Sequence, residues 1–416
     1  MIDRDEKYMQ MALRLAQRGI GSVEPNPAVG CILVKGGQVV GKGWHKKFGG
    51  PHAEINALED CKTLGVNPKE ATMYVTLEPC CHQDKTGPCT EAIIAAGLER
   101  VVVATIDPSE QVNGKGIEQL RNAEIDVKVG VCEMEAKLLN APFIKFTTTG
   151  KSWVILKWAQ SIDGKLAWVA EGNVRRWISS ELSRKDVQKL RSRVDGIVVG
   201  IGTVLADNPL LTVRSKKRGK KAVRIVLDSR LRIPLDCKLL KTTKKAPVLI
   251  LTSQEAVQTN AETAEKIRQK GGELLVYPDT QSRSNLHFLL DELSKRGIGQ
   301  LLVEGGPTVI TSFLKEELVD EICVYITPKL LGGVGSVEIG RPMTELSKAV
   351  GLHYVDIKRF GDDVCICGVS EKALGEISIK TSIDSGEGEQ GEEERGEEER
   401  GKEERGEEEQ KENLQP

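Results

Sequence analysis

Apolar and polar positions divide the chain into two series of strands and helices. Residues 3–18 carry helical periodicity, and residues 29–35 and 38–43 read as a hairpin turning on Gly36-Gly37. A helix is expected from about His52, then a strand over 72–78 (TMYVTLE) and a helix from near Pro88. A strand over 101–105 (VVVAT), a helix near 114–122 and a strand over 125–129 complete the first series. The second begins with WVILKW at 153–158, and apolar runs recur at 196–200, 223–228, 247–252, 273–277, 300–304 and 322–327. Helical segments lie between several of these runs. Such alternation predicts a mostly parallel sheet with helices on its faces. The expected plan is an α/β domain over 1–125, a joining segment over 126–150, a second α/β domain over 151–372 and a tail over 373–416.

Composition narrows the class. The chain has 416 residues, long enough for two or three domains, and is 39% hydrophobic. It contains no apolar run of about 18 residues, so no membrane-spanning helix is expected. The opening MIDRDEKYMQMALRLAQ has charges where a signal peptide needs an apolar core, which predicts a cytoplasmic protein. The net charge of −2 hides an asymmetry: from Asp384 onward there are fifteen acids and five bases, which leaves the body at +8. A basic body suits phosphorylated ligands, without choosing between small molecules and nucleic acid. The tail repeats GEEER, GEEER, GKEER, GEEEQ, with almost nothing apolar to offset the entropy of ordering, and is expected to be disordered. Ten cysteines in a cytosolic chain predict buried thiols or metal ligands rather than disulfides, and Cys31 and Cys323, in apolar segments, read as buried thiols.

Pro51-His52-Ala53-Glu54 opens a predicted helix, Glu78-Pro79-Cys80 follows the next strand, and Cys89 comes nine residues later. One imidazole and two thiolates form a three-ligand zinc site with the fourth tetrahedral position open for water, as catalytic zinc requires. Glu54 lies two residues from His52 and is placed to shuttle protons rather than ligate. Zinc deaminases carry H-x-E and then P-C-x-x-C; here the order and the Pro-Cys match, with C-x8-C as the second spacing. Cys81 adjoins Cys80 and competes for the ligand role, but its side chain should point away. His82 reads as a substrate contact, because a fourth protein ligand would close the site.

The stretches PNPAVGCILV, GWHKKFGGPHAEINAL and YVTLEPCCHQDKTGPC resemble the deaminase half of the bifunctional riboflavin biosynthesis family. LKWAQSIDGKLA, VGIGTVLADNPLLTVR, RIVLDSRLRIP, VEGGPT and PKLLGG resemble its reductase half, so the likeness covers about residues 1–370. The resemblance implies a cytidine-deaminase-like domain, a mixed sheet sandwiched by helices, followed by a dihydrofolate-reductase-like α/β domain. It implies Zn2+ at His52, Cys80 and Cys89, and NADPH at Ala159, Trp177, Thr203, Asp207, Ser229, Gly306, Pro307 and Thr308. Substrate is expected at Asn26, His45, His82 and Lys85 in the first half, and at Lys157, Arg191, Leu211, Arg214 and Glu304 in the second. The implied chemistry is deamination of 2,5-diamino-6-ribosylamino-4(3H)-pyrimidinone 5′-phosphate, then hydride transfer from NADPH to C1′ of the ribosylamino group. The implied partners are this phosphorylated pyrimidine and further copies of the chain, with no nucleic acid and no membrane.

Two features depart from the family pattern. Gly87 stands where the loop before Cys89 has a proline, which removes no ligand. Arg175 stands where the reductase half has a substrate-contacting serine, in a loop about two residues longer. The second departure motivates an alternative, a deaminase whose second domain binds ligand without reducing it. A third reading, a nucleic-acid-editing deaminase, would need aromatic stacking surfaces and a basic groove. The chain has only five Trp, five Tyr and six Phe, and that reading leaves the reductase motifs unexplained.

Overall fold

The computed structural model describes residues 3–82, 87–168, 177–213, 221–278, 285–333, 336–337, 339–340 and 349–378. The acidic repeat, Lys85, Arg175 and Arg214 lie outside these residues.

The first domain begins with α1 (Arg4–Ala16), capped by the Asp3 side chain, which accepts from the Asp5 N–H. The hairpin is β1 (Gly30–Lys35) and β2 (Gln38–Trp44), followed by α2 (Ala53–Thr63) and β3 (Thr72–Val75). Then come α3 (Cys89–Ala95), β4 (Arg100–Val103), α4 (Lys115–Asn122) and β5 (Asp126–Val129). The sheet order is β2-β1-β3-β4-β5. β1 runs antiparallel to β2 and β3, while β3, β4 and β5 are parallel. Alternation along β1 separates two cores. Cys31 and Leu33 pack with Ala57, Ile93 and Ile117 of α2, α3 and α4. Ile32 and Val34 pack with Met9 and Ala12 of α1. The mixed sheet is thus sandwiched by helices, as expected.

Two short helices connect the domains, α5 (Glu133–Leu139) and α6 (Ala141–Thr149). Ala136 of α5 belongs to the core of the first domain, while Ala141 and Ile144 of α6 belong to that of the second. Between them, the Asn140 side chain accepts from the Ala28 N–H (2.8 Å) and donates to the Ala28 carbonyl (3.0 Å). Lys145 is buried and bridges Asp320 (2.6 Å) and Glu376 (2.8 Å).

The second domain contains β6 (Trp153–Ser161), β7 (Ala167–Trp168), α7 (Glu181–Arg193), β8 (Gly196–Gly200), α8 (Ile201–Asp207) and β9 (Val223–Leu227). It continues with β10 (Val248–Ser253), α9 (Gln254–Thr259), α10 (Ala261–Gln269), β11 (Gly272–Tyr277), α11 (Asn285–Lys295), β12 (Gln300–Val303) and α12 (Pro307–Lys315). β13 (Glu321–Thr327), β14 (Ser336–Val337), β15 (Leu352–Phe360), β16 (Asp363–Ser370) and α13 (Glu371–Ile377) complete it. Nine strands form one sheet in the order β11-β10-β9-β8-β12-β6-β13-β16-β15. All are parallel from β11 to β13, and β16 and β15 add an antiparallel edge. α7, α8 and α10 cover one face, and α11 and α12 the other.

Four expectations need correction. The strand expected over 72–78 ends at Val75, and the following residues form the loop that carries Cys80. The joining segment does not begin at 126, because Asp126–Val129 pairs with β4 as the edge of the first sheet. The tail does not begin at 373, because Ala373 and Ile377 are buried in the second core. Cys323 is buried, but its sulfur is bonded to Cys367, directly across from it on β16.

Candidate active sites

The first site forms where three segment ends meet. His52 is the N-cap residue of α2, in extended backbone conformation. Its position depends on Gly43 of β2, where a Cβ would lie 2.1 Å from the Ala53 carbonyl oxygen. Cys80 lies in the loop after β3, and Cys89 is the first residue of α3. His52 Nδ1 lies 3.5 Å from Cys80 Sγ and 3.3 Å from Cys89 Sγ. The three donor atoms all lie within 4.8 Å of one another. Ligands held tetrahedrally at about 2.3 Å for sulfur and about 2.0 Å for nitrogen lie about 3.5 Å apart, so the set fits zinc. Cys81 turns away, its sulfur 3.9 Å from the Gln111 carbonyl.

The electrostatics favour a metal-ready pair. Cys80 takes hydrogen bonds from the Cys89 thiol, from His52 and from the Cys89 backbone N–H (3.4 Å), which hold its thiol well below the usual range. Cys89, as the donor partner in a buried position, is pushed up. Thiolates are the ligand form, and a helix N-terminus helps to make one. Glu54 is 3% exposed, and burial raises its carboxyl above the usual range.

His45 stacks edge-on against His52, with ring centres 5.5 Å apart. Burial lowers its pKa, opposed by its bond to the Pro51 carbonyl. Nδ1 lies 3.1 Å from that carbonyl and Nε2 lies 3.4 Å from Asn26 Nδ2. A neutral imidazole donating from Nδ1 and accepting at Nε2 satisfies both contacts. Asn26, His45, His52, Glu54, Cys80 and Cys89 therefore lie together in one cluster. His82 Nδ1 is buried with no hydrogen-bond partner among the described residues. Lys85 lies outside them.

The second site lies at the carboxyl ends of the parallel strands, where open α/β sheets hold ligands. Lys157 and Glu304 each follow the paired residues Leu156 of β6 and Val303 of β12 by one position. Arg191 of α7 grips Glu304 with two parallel bonds of 2.7 Å, from Nε and Nη2. Burial would raise the Glu304 carboxyl, but Arg191, with help from Lys157, holds it below the usual range. Desolvation lowers the Lys157 ammonium, opposed by Glu304 and reinforced by Arg191.

Gly306 is the N-cap residue of α12, with Pro307 at its first turn and no side chain capping it. A Cβ on Gly306 would meet only Thr203 Oγ1, at 3.8 Å, so the starts of α8 and α12 adjoin and the backbone there is open. An uncapped helix start beside two glycines suits the phosphates of a dinucleotide. Thr308, Asp207 and Ser229 are exposed near strand or helix ends of the same sheet. Ala159 is half-buried on β6 in register with Tyr325. Trp177 is 61% exposed, with the Arg184 guanidinium 5.5 Å from its ring centre.

Known proteins share both halves. Residues 2–105 match the cytidine and deoxycytidylate deaminase zinc-binding region, and residues 152–366 match the RibD C-terminal domain. The riboflavin biosynthesis protein RibD of Aquifex aeolicus (strain VF5) is 43% identical over 363 residues, 87% of this chain and 97% of that protein. The protein of that name from Escherichia coli (strain K12) is 40% identical over 87% of this chain and 98% of its own. The solved structure of Acinetobacter baumannii RibD is 36% identical, with a TM-score of 0.73 over 88% of this chain and 99% of that one. A Thermotoga maritima structure described as a diaminohydroxyphosphoribosylaminopyrimidine deaminase/5-amino-6-(5-phosphoribosylamino)uracil reductase is 34% identical, with a TM-score of 0.72 over 88% and 99%. The chain belongs to the RibD family.

Within this RibD chain, Leu211 differs from what a substrate contact suggests. Its side chain is buried in the core, and its φ of 50° leaves the backbone as the part able to meet a ligand. Arg214 lies outside the described residues. Two supports escaped the sequence reading. Tyr325 of β13 is fully buried with its ring centre 5.4 Å from Lys157 Nζ, and its hydroxyl donates to Asp186 of α7 at 2.9 Å. No sequence signal marks either residue, because the partnership crosses 139 positions.

Proposed function

We propose that this RibD chain catalyses two consecutive steps of riboflavin biosynthesis, each in its own domain. The first domain, ending with β5, deaminates 2,5-diamino-6-ribosylamino-4(3H)-pyrimidinone 5′-phosphate. The second, from β6 through α13, reduces the ribosyl group to give 5-amino-6-ribitylamino-uracil 5′-phosphate. The observation that carries the reading is the cluster of His52, Cys80 and Cys89 donor atoms with Glu54 buried beside it, in one chain with the Arg191–Glu304–Lys157 group.

Zinc, when bound by His52, Cys80 and Cys89, supplies a water acidic enough to act as nucleophile near pH 7. Glu54 would carry a proton from the attacking water to the departing amine, and its raised pKa suits holding a proton between those events. The water oxygen bonds to the ring carbon, the carbon–nitrogen bond breaks, ammonia leaves and the carbon becomes a carbonyl. Neutral His45 and Asn26 orient the pyrimidine, and His82, whose Nδ1 has no partner among the described residues, contacts the substrate. In the second domain NADPH, when bound, supplies the hydride. The ribosylamine opens to an imine, C1′ accepts the hydride and the nitrogen takes a proton. Lys157, desolvated and flanked by Glu304, holds the ribose beside the cofactor, and Arg191 keeps Glu304 ionised. Gly306, Pro307 and Thr308 receive the cofactor phosphates, with Ala159, Thr203, Asp207 and Ser229 along the same sheet edge.

The enzyme acts in the cytoplasm on a small phosphorylated metabolite and forms a homo-oligomer. The edge strand β15 supports the last point, because Tyr354, Val355 and Ile357 stand 56%, 48% and 65% exposed. Among the described residues no helix is long and apolar enough to cross a membrane. The test is a coupled assay of the zinc-loaded protein, following ammonia release beside NADPH loss at 340 nm. Both signals are expected. Ammonia without NADPH loss would leave a deaminase with a non-reducing second domain, and neither signal would refute the substrate.

A further inference from the structure

One buried carboxyl group that the reaction itself does not use fastens the loop of Cys80 to α4, and α4 in turn touches the residue after Cys89. Glu78 is 4% exposed, on the loop between β3 and Cys80. Its Oε2 accepts from the N–H groups of Gly114 (2.9 Å) and Asp107 (3.2 Å). Its Oε1 accepts from those of Gly116 (2.9 Å) and Ile117 (3.3 Å). Four backbone donors on one side chain fasten the Cys80 loop to the start of α4 and to the loop after β4. The seating is close: a Cβ on Gly116 would fall 2.2 Å from the Pro79 carbonyl oxygen, so only glycine lets α4 approach the peptide before Cys80. From α4 the chain of contacts returns to the ligands. Gln119 accepts from Thr90 Oγ1 (2.8 Å), and the Thr90 N–H donates to the Cys80 carbonyl (3.2 Å). Thr90 directly follows Cys89 in α3.

We propose that Glu78 is a positioning residue that sets the separation of Cys80 and Cys89 through α4, and thereby the affinity of the site for zinc. The inference rests on the zinc-deaminase reading above. Groups outside the ligand shell commonly change metal affinity by about 10- to 100-fold when removed.

The experiment measures zinc per chain and the zinc dissociation constant, by chelator competition, on the full-length protein. Glu78→Gln keeps the shape but turns an amide NH2 toward two N–H donors. It is expected to raise the dissociation constant about 10- to 100-fold, with NADPH-dependent reduction of the deaminated intermediate unchanged. Gln119→Leu cuts the return path while leaving the bonds of Glu78 intact, and is expected to raise the constant by a smaller factor. Glu78→Gln with zinc affinity within twofold of wild type overturns the inference. So does a lowered melting temperature of the metal-free protein with unaltered zinc affinity, which would mark Glu78 as purely structural. Should Glu78→Gln fail to fold, an unchanged affinity in Gln119→Leu overturns it instead. Wild-type protein that binds no zinc overturns the deaminase reading and this inference together, whereas zinc-replete wild type with a Glu78→Gln variant of equal zinc affinity overturns the inference alone.

Discussion

Arg191 and Glu304, 113 residues apart, meet through two hydrogen bonds of 2.7 Å, and the pair borders Lys157 at the carboxyl edge of the second sheet. Removing one partner of such a pair leaves a buried charge unmatched, at a cost of about 3–5 kcal/mol. Arg191→Ala is therefore expected to destabilise the second domain by that order and to abolish NADPH-dependent reduction, with ammonia release retained. The pH dependence should change sign. In the wild type the folded Glu304 pKa is depressed, so its stabilisation is present above the unfolded value and lost as pH falls through the folded one. Without Arg191, burial dominates and raises that pKa, so ionisation costs stability as pH rises. Melting curves of both proteins from about pH 2 to 8 check this.

The first domain has its own acid-sensitive lock. Buried Asp5 accepts from Arg100 Nη1 and Nη2 (2.9 and 3.0 Å), Lys128 Nζ (2.9 Å) and the Tyr74 hydroxyl (2.9 Å). Burial would raise its carboxyl, but these donors outweigh burial and hold it far below the usual carboxylate range. The stabilisation is complete above the unfolded value near pH 3.9 and is lost as pH falls toward the folded one. Asp5→Asn should cost about 2–3 kcal/mol at pH 7 and flatten the loss of stability below about pH 4. Acid titrations monitored by circular dichroism would read both effects, and parallel titration curves would refute the assignment.

Much of this was legible in the sequence, for reasons that differ by element. The spacing of His52, Glu54, Cys80 and Cys89 survives because metal ligation tolerates few residue types in few arrangements. The central strands of the second sheet are buried on both faces, so they read as apolar runs. β15 escaped because most of LHYVDIKRF is exposed and gives no inward face to detect. α13 escaped because only Ala373 and Ile377 of its seven residues are buried, just ahead of the acidic repeat. Glu78 gave no signal beyond its place before Pro79-Cys80, since its partners are backbone amides, which no residue type announces.

The disulfide between Cys323 and Cys367 joins neighbouring strands beside the second site, with Cys323 in register with Lys157. The other eight cysteines are free. Thiol titration of the denatured, unreduced protein should therefore count eight groups. Closing a chain loop of this size stabilises a fold by roughly 2–4 kcal/mol. Dithiothreitol is expected to lower the melting temperature of wild type but not of Cys323→Ser, and ten titratable thiols before reduction would refute the pairing.

Glu54 and Gly43 separate chemistry from placement in the first site. Glu54→Gln keeps the three ligands and removes the proton carrier, so deamination should fall by at least about 100-fold with zinc content unchanged. Gly43 acts differently. A Cβ there would lie 2.1 Å from the Ala53 carbonyl oxygen and 2.4 Å from the Ala57 nitrogen, both backbone atoms of α2. Gly43→Ala must push the start of α2 away from β2, carrying His52 and Glu54 with it. Overpacking of this kind costs about 1–3 kcal/mol. It should reduce both zinc content and ammonia release, while reduction of the deaminated intermediate in the other domain continues at the wild-type rate. Equal loss of both activities would mean instead that the domains depend on each other through α5 and α6.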